Sequence, residues 1–67
     1  MQLVIQLSLD NDAFRDEDGK VNYYAVGLTV ENVGKDIFYD GLPKDGEALK
    51  ITDQNGNTVG TIHTTGS

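Results

Sequence analysis

The stretch Val21-Asn22-Tyr23-Tyr24-Ala25-Val26-Gly27-Leu28-Thr29-Val30-Glu31-Asn32-Val33-Gly34-Lys35-Asp36-Ile37-Phe38-Tyr39-Asp40 decides the fold, and it supports two readings. Tyr23, Val26, Val30, Val33 and Ile37 are spaced 3, 4, 3 and 4, the stripe of an amphipathic helix. Tyr24, Val26, Leu28 and Val30 alternate with Ala25, Gly27, Thr29 and Glu31, the period of a strand. Valine, tyrosine and threonine favour the strand, and Gly27 and Gly34 would each cost a helix about 1 kcal/mol relative to alanine. Glu31 and Lys35 form a helical i,i+4 pair in the better orientation. Gly41 and Pro43 stand where a helix would stop. Periodicity and propensity alone lean narrowly to the strand.

Outward from this segment the signals are plainer. Leu3, Ile5, Leu7 and Leu9 alternate with Gln2, Gln6 and Ser8, which predicts a first strand with one buried face. Residues 10–20 hold five of the eleven acids (Asp10, Asp12, Asp16, Glu17 and Asp18) and no apolar period, so they read as loop. Asp10-Asn11-Asp12 predicts a turn through side-chain bonds to the backbone two residues on, Asp18-Gly19 predicts a second turn, and Phe14 is expected to plug the core edge. Residues 48–53 and 57–63 flank Gln54-Asn55-Gly56, a strong hairpin signal because Asn and Gly both tolerate positive φ. A two-residue turn sets Leu49 opposite Ile62, whereas a three-residue turn sets Ile51 opposite Val59. Val59 and Ile62 are three apart, and a bulge at Gly60 would let both point inward. The expected organisation is one domain over residues 1–63 with a frayed tail at 64–67.

Composition narrows the function classes. With 67 residues the chain makes one small, marginally stable core. It has no cysteine, which removes disulfides, thiolate zinc and cysteine catalysis together. No apolar run is long enough for a membrane span, and no secretory signal is read. A net charge of −6 argues against direct nucleic-acid binding through phosphates.

The two ends resemble a group of short, uncharacterised proteins encoded on bacteriophages, prophages and plasmids. The matching stretches are Leu-Val-Ile-Gln-Leu-Ser-Leu-Asp-Asn-Asp-Ala-Phe (3–14) and Asp-Gln-Asn-Gly-Asn-Thr-Val-Gly (53–60). That group opens with a strand into an Asp-Asn-x-Ala-Phe turn and closes with an Asp-x-Asn-Gly-Asn-x-Val-Gly hairpin. Between them it carries an amphipathic helix, to which residues 29–41 correspond here, although with Val, Thr, Tyr and Gly in place of Arg, Leu, Ala and Glu. The resemblance implies the order strand, helix, hairpin and no particular activity, and it resolves residues 22–39 as a helix.

The expected fold is therefore α+β, in the order β-α-β-β, a small three-stranded and mainly antiparallel sheet covered on one face by a single helix; the alternative is all-β. Leu3, Ile5, Leu7 and Leu9 are expected to meet Val26, Val30, Val33 and Ile37, with Leu49, Ile51 and Ile62 from the hairpin. Gly34 would let the helix approach the sheet, and Phe14 and Phe38 would close the ends. A homodimer is expected through an edge strand or through a face bearing Val4, Tyr24 and Leu28, because so small a core commonly needs reinforcement.

Catalytic chemistry is sparse. Placing Gly19 at position 6 of a calcium loop puts Phe14 first and Ala25 twelfth; placing Gly56 there puts Ile51 and Ile62 at those positions. Both fail, which leaves only a loose cluster of Asp10, Asp12, Asp16 and Asp18. His63 reads as an exposed strand-end side chain without an oriented partner. The expectation is no enzyme, no cofactor and no metal. Two binding roles remain. One is an acidic protein-binding module, such as a phage-encoded inhibitor of a host enzyme or defence complex, in the cytoplasm of a bacterial cell. Its Asp12, Asp16, Glu17, Asp18 and Glu31 would stand in for nucleic-acid phosphates toward a basic host protein, with Tyr24 or Tyr39 as apolar anchor. The other is a self-assembling accessory protein of a mobile element with no discrete site. On the tyrosines the plainer expectation is that Tyr23 lies in the core and Tyr24 and Tyr39 are half-buried at the helix ends.

Overall fold

The computed structural model describes residues 1–66. The chain runs β1 (Gln2–Leu7), a short 3-10 turn (Asp12–Phe14), α1 (Tyr23–Asp40), β2 (Ala48–Thr52) and β3 (Thr58–Thr65). The three strands form one antiparallel sheet in the order β1-β3-β2, and α1 covers one face. The fold is thus the expected α+β arrangement.

α1 begins where a side chain can replace the missing helical acceptor. Asn22 Oδ1 accepts from the Ala25 N–H at 3.1 Å, capping the first turn. It ends at Gly41, whose φ of +83° and ψ of −167° lie in a region open essentially to glycine alone, and whose N–H donates to the Ile37 carbonyl. Glu31 and Lys35 pair at 3.5 Å on the exposed side. The buried stripe is Val26, Val33 and Ile37; Tyr23 and Val30, expected in it, are exposed. They stand about 60–80° around the helix from Val33, at 100° per residue, beyond the arc the sheet covers.

The core is Phe14, Val33, Ile51, Val59 and Ile62, with Leu7, Ala13, Ala25, Val26 and Ile37 packed around it. Phe14, at 1% exposure, is the expected plug, and truncating a buried phenylalanine generally costs about 3–5 kcal/mol. Leu3, Ile5 and Leu49 lie in register with inward-facing Thr64 and Ile62, yet are 42%, 39% and 43% exposed. One helix is about 10 Å wide and strands lie about 4.8 Å apart, so the middle of the sheet is covered and its edge rows are not. Leu9 lies beyond β1 and is also exposed. Phe38 closes nothing: it is exposed and meets the Tyr39 ring edge-on at 5.2 Å. A Cβ on Gly34 would meet open space, so Gly34 brings no close approach to the sheet.

The hairpin keeps the Leu49–Ile62 pairing expected of a two-residue turn yet closes on a three-residue loop, and the Ile51–Val59 pair expected with that loop does not form. Leu49 opposes Ile62 and Ile51 opposes Gly60, but nearer the tip Thr52 opposes Thr58. Val59, one residue before the expected Gly60, is the extra residue, because Gly60 stays paired with Ile51; this bulge turns Val59 and Ile62 to the same side. The tip has a three-residue loop with Gly56 at φ +84°; Asn55 does not take positive φ. Asp53 holds the loop, its Oδ1 accepting from the N–H groups of Asn55 and Asn57, each at 2.9 Å. Above all the Asn57 N–H bond, opposed in part by desolvation, holds the Asp53 carboxyl below its ordinary 3.8. β3 continues through Thr64 and Thr65, paired with Leu3 and Gln2, so the expected tail at 64–67 is strand in its first two residues; Ser67 lies outside the described residues. The strand survives there because β1 supplies partners for its backbone. Val4 lies on the sheet face away from the helix, opposite His63, so Val4, Tyr24 and Leu28 do not share a surface.

Gly60 is the residue this packing least tolerates losing. A Cβ on it would overlap the Gln6 carbonyl oxygen and press on Leu7 Cδ2 at 2.9 Å. Gly60→Ala is expected to destabilise the domain by about 3 kcal/mol, the upper part of the overpacking range. Gly34→Ala, in open helix surface, is expected to stabilise it by about 1 kcal/mol. Urea midpoints read both, and shifts of the same sign would contradict this packing. The Asp53 contribution has a definite pH sign. With its folded-state pKa lowered, it is present above the ordinary carboxylate range and is lost as pH falls through the folded value. Asp53→Asn is therefore expected to flatten part of the acid limb of the stability profile; parallel limbs for variant and wild type would refute the assignment.

Candidate functional site

The acidic segment is an ordered hairpin, although its sequence reads as loop. Asn11 Oδ1 accepts from the Ala13 N–H at 2.9 Å, the side-chain turn expected there, and directs Phe14 into the core. After Phe14 the chain reverses: Arg15 bridges Val21, Asp16 N–H donates to the Lys20 carbonyl, and Gly19 N–H donates to the Asp16 carbonyl. Gly19 has φ +80°. Asp53 to Asn57 repeats this pattern, with Asp53 N–H on the Asn57 carbonyl and Gly56 N–H on that of Asp53. Both turns read Asp-x-x-Gly-x, Asp16 to Lys20 and Asp53 to Asn57.

Arg15 clamps the acidic hairpin. Its Nε donates to the Leu9 carbonyl at 2.8 Å, Nη1 to the Gly19 carbonyl at 2.7 Å and Nη2 to Asp10 Oδ1 at 2.8 Å. Asp10 is thereby paired, while Asp16, Glu17 and Asp18 stand consecutively at the exposed tip with no cation paired to them among the described residues. Asp12 faces the other turn, lining a shallow surface hollow with Asp10, Asp53, Asn55 and Asn57. Asp53 is not among the site residues expected from the sequence, where Asn55-Gly56 signals the hairpin alone; the Asp-x-x-Gly spacing it shares with Asp16 is the feature that points to it.

The tyrosines are not half-buried. Tyr23, Tyr24, Phe38 and Tyr39 are 79–84% exposed, which overturns the core placement of Tyr23 and the half-buried placement of Tyr24 and Tyr39. Tyr23 and Tyr24 border a hollow with Arg15, Asp16, Gly19 and Lys20, so both aromatic rings stand beside the acidic hairpin. Glu31 lies two helical turns beyond Tyr24 on the same stripe, but its charge is shared with Lys35. Tyr39 is fifteen residues from Tyr24, about 22 Å along the axis, and belongs to a different end of the molecule. The anticipated set therefore divides: Asp12, Asp16, Glu17, Asp18 and Tyr24 share one end with Tyr23 and Asp53, Glu31 flanks them, and Tyr39 is remote. That end is also the N-terminal end of α1, whose dipole favours carboxylates nearby.

The Asp10, Asp12, Asp16 and Asp18 cluster does not converge: among the described residues no three His, Asp or Glu side chains are placed to hold one metal ion. His63 is not at a strand end. It sits within β3 between Val4 and Ala48 on the outer face, where neither neighbour orients it for proton transfer. No helix among the described residues is long and apolar enough to cross a membrane.

The clamp is testable. Arg15→Ala is expected to speed amide exchange at Asp16 and Gly19, whose N–H groups close the turn, and to lower stability by about 1 kcal/mol. Arg15→Lys should not restore it, since an ammonium on a flexible stem does not span three fixed acceptors. Restoration by lysine would show that charge alone holds the hairpin. Comparison with protein-family models, curated proteins and solved structures finds no match to this chain.

Proposed function

We propose that this chain is a small acidic protein-binding module whose contact surface is the end formed by the 10–20 hairpin, the 53–57 turn and the first turn of α1. The observation that carries this reading is that two exposed tyrosines, Tyr23 and Tyr24, border one hollow with Asp16, the first of three consecutive acids at the hairpin tip that form no ion pair among the described residues. Aromatic side chains supply large contact area at little conformational cost, and clustered charge speeds encounter with a surface of opposite sign. The partner is a basic protein, and Asp16, Glu17 and Asp18 occupy the place that nucleic-acid phosphates take on it. The target this reading names is a host enzyme or defence complex in the bacterial cytoplasm, whose nucleic-acid groove a small acidic protein would cover. Tyr24 is the anchor of this surface, and Tyr39 is not part of it. A second reading, a self-assembling accessory protein, is favoured by the uncharged exposed edge of β1.

The test is competition and salt. A complex with a basic nucleic-acid-binding protein is expected to weaken at least tenfold between about 50 and 500 mM salt, as charge contacts are screened. Duplex DNA should displace the chain from it. Asp16→Asn, Glu17→Gln and Asp18→Asn combined, or Tyr24→Ala alone, should abolish binding, with Tyr39→Ala unchanged. A complex insensitive to salt and to DNA, or one lost on changing Tyr39, contradicts the proposal.

A further inference from the structure

The fold leaves more surface in water than a compact monomer of this mass. Its accessible area is 5074 Å², against about 4200 Å² expected for a folded 7.3 kDa monomer. The excess of about 900 Å² matches the ~800 Å² that each partner contributes to a standard protein interface. The radius of gyration, 12.7 Å, exceeds the ~11 Å typical of a compact 67-residue domain. Such a molecule is under-covered, and its exposed apolar side chains say where.

The two edges of the sheet are not equivalent. β2 carries Lys50 and is bracketed by Glu47 and Asp53, the charges that commonly guard an edge. β1 has no such guard: residues 1–9 contain no charged side chain, no proline and no glycine, in a chain with a net charge of −6. Its helix-side row is Leu3, Ile5 and Leu7, the first two about 40% exposed. Beside β2 the helix presents Thr29, Asn32, Asp36 and Asp40. The opposite flank, turned toward the β1 side, bears Val30, 46% exposed, with Tyr23 and the bare glycines 27 and 34.

The backbone of β1 fixes a register. Ser8 N–H donates to the Val59 carbonyl, so alternation along an antiparallel ladder directs the backbone groups of Gln6, Val4 and Gln2 toward β3. Those of Leu3, Ile5 and Leu7 face outward along the open edge. We propose that a second copy of this chain docks antiparallel on β1, with Ile5 on the two-fold axis. Ile5 then pairs with Ile5 of the other copy, and Leu3 with Leu7 in both directions. This register satisfies all three outward residues of each copy, which a register centred on Val4 or Gln6 does not. The product is a six-stranded sheet with both helices on one face, and Leu3, Ile5 and Val30 covered across the seam. It stands independently of the basic-partner reading, because the acidic end is not part of the seam.

Two copies of charge −6 repel, so this dimer tightens as salt rises, opposite in sign to binding of a basic partner. Sedimentation equilibrium at tens of micromolar is expected to give twice 7.3 kDa, and Ile5→Lys half of that with unchanged helical dichroism. Mixed-label NMR on the wild type serves whether or not the variant folds: intermolecular NOEs should link Ile5 to Ile5 and Leu3 to Leu7, and the Leu3, Ile5 and Leu7 amides should be protected from exchange. A monomer mass throughout, a folded Ile5→Lys dimer, or a dimer whose intermolecular NOEs omit Ile5 overturns the proposal.

Discussion

Val59 and Ile62 stand three residues apart on one strand, and a regular strand would turn one of them away from α1. The bulge between the Ile51–Gly60 and Thr52–Thr58 pairs removes that conflict. It sends both side chains to the helix side, where they meet Val33, Ile51 and Phe14 in the only cluster of fully buried apolar residues among those described. Gly60 makes it sterically feasible, since β1 passes too close there for any side chain. Every other contact is secondary to this one: α1 has a single buried residue, Val33, and it seats on this cluster.

Much of this was legible in the residues. The resemblance at the two ends gave a helix over 22–39, one residue from the observed Tyr23–Asp40, and Asn22 and Gly41 are the capping types that explain where it stops. The spacing of Val59 and Ile62 foretold a bulge, and a lone phenylalanine among acids foretold the Phe14 plug. What misled was the width of the buried arc. The 3, 4, 3, 4 stripe included Tyr23 and Val30, but three strands cover too little of a helix to bury five positions. Alternation in β1 correctly marked its inward face, though nothing in the pattern shows that a helix leaves an edge row half in water. Of the Arg15 clamp, two acceptors are backbone carbonyls brought close only by the fold, which no side-chain pattern announces.

The division of surfaces follows from the same thinness. A helix that seats on one central cluster leaves its outer flanks and the sheet edges free, and the chain fills them differently. Carboxylates gather at the end where both Asp-x-x-Gly turns lie, and that of Asp53 accepts from the backbone N–H groups of its own turn. The β1 side holds the uncharged residues. One molecule thus carries a charged end and, along β1, an uncharged sheet edge.

The hairpin changes register by one residue at Val59, and backbone NOEs across β2 and β3 read that change. Ile51 is expected to face Gly60 and Thr52 to face Thr58, with the Val59 methyls against the Phe14 ring. A single unbroken register, with Ile51 facing Val59 along the whole ladder, would turn Ile62 outward and contradict it.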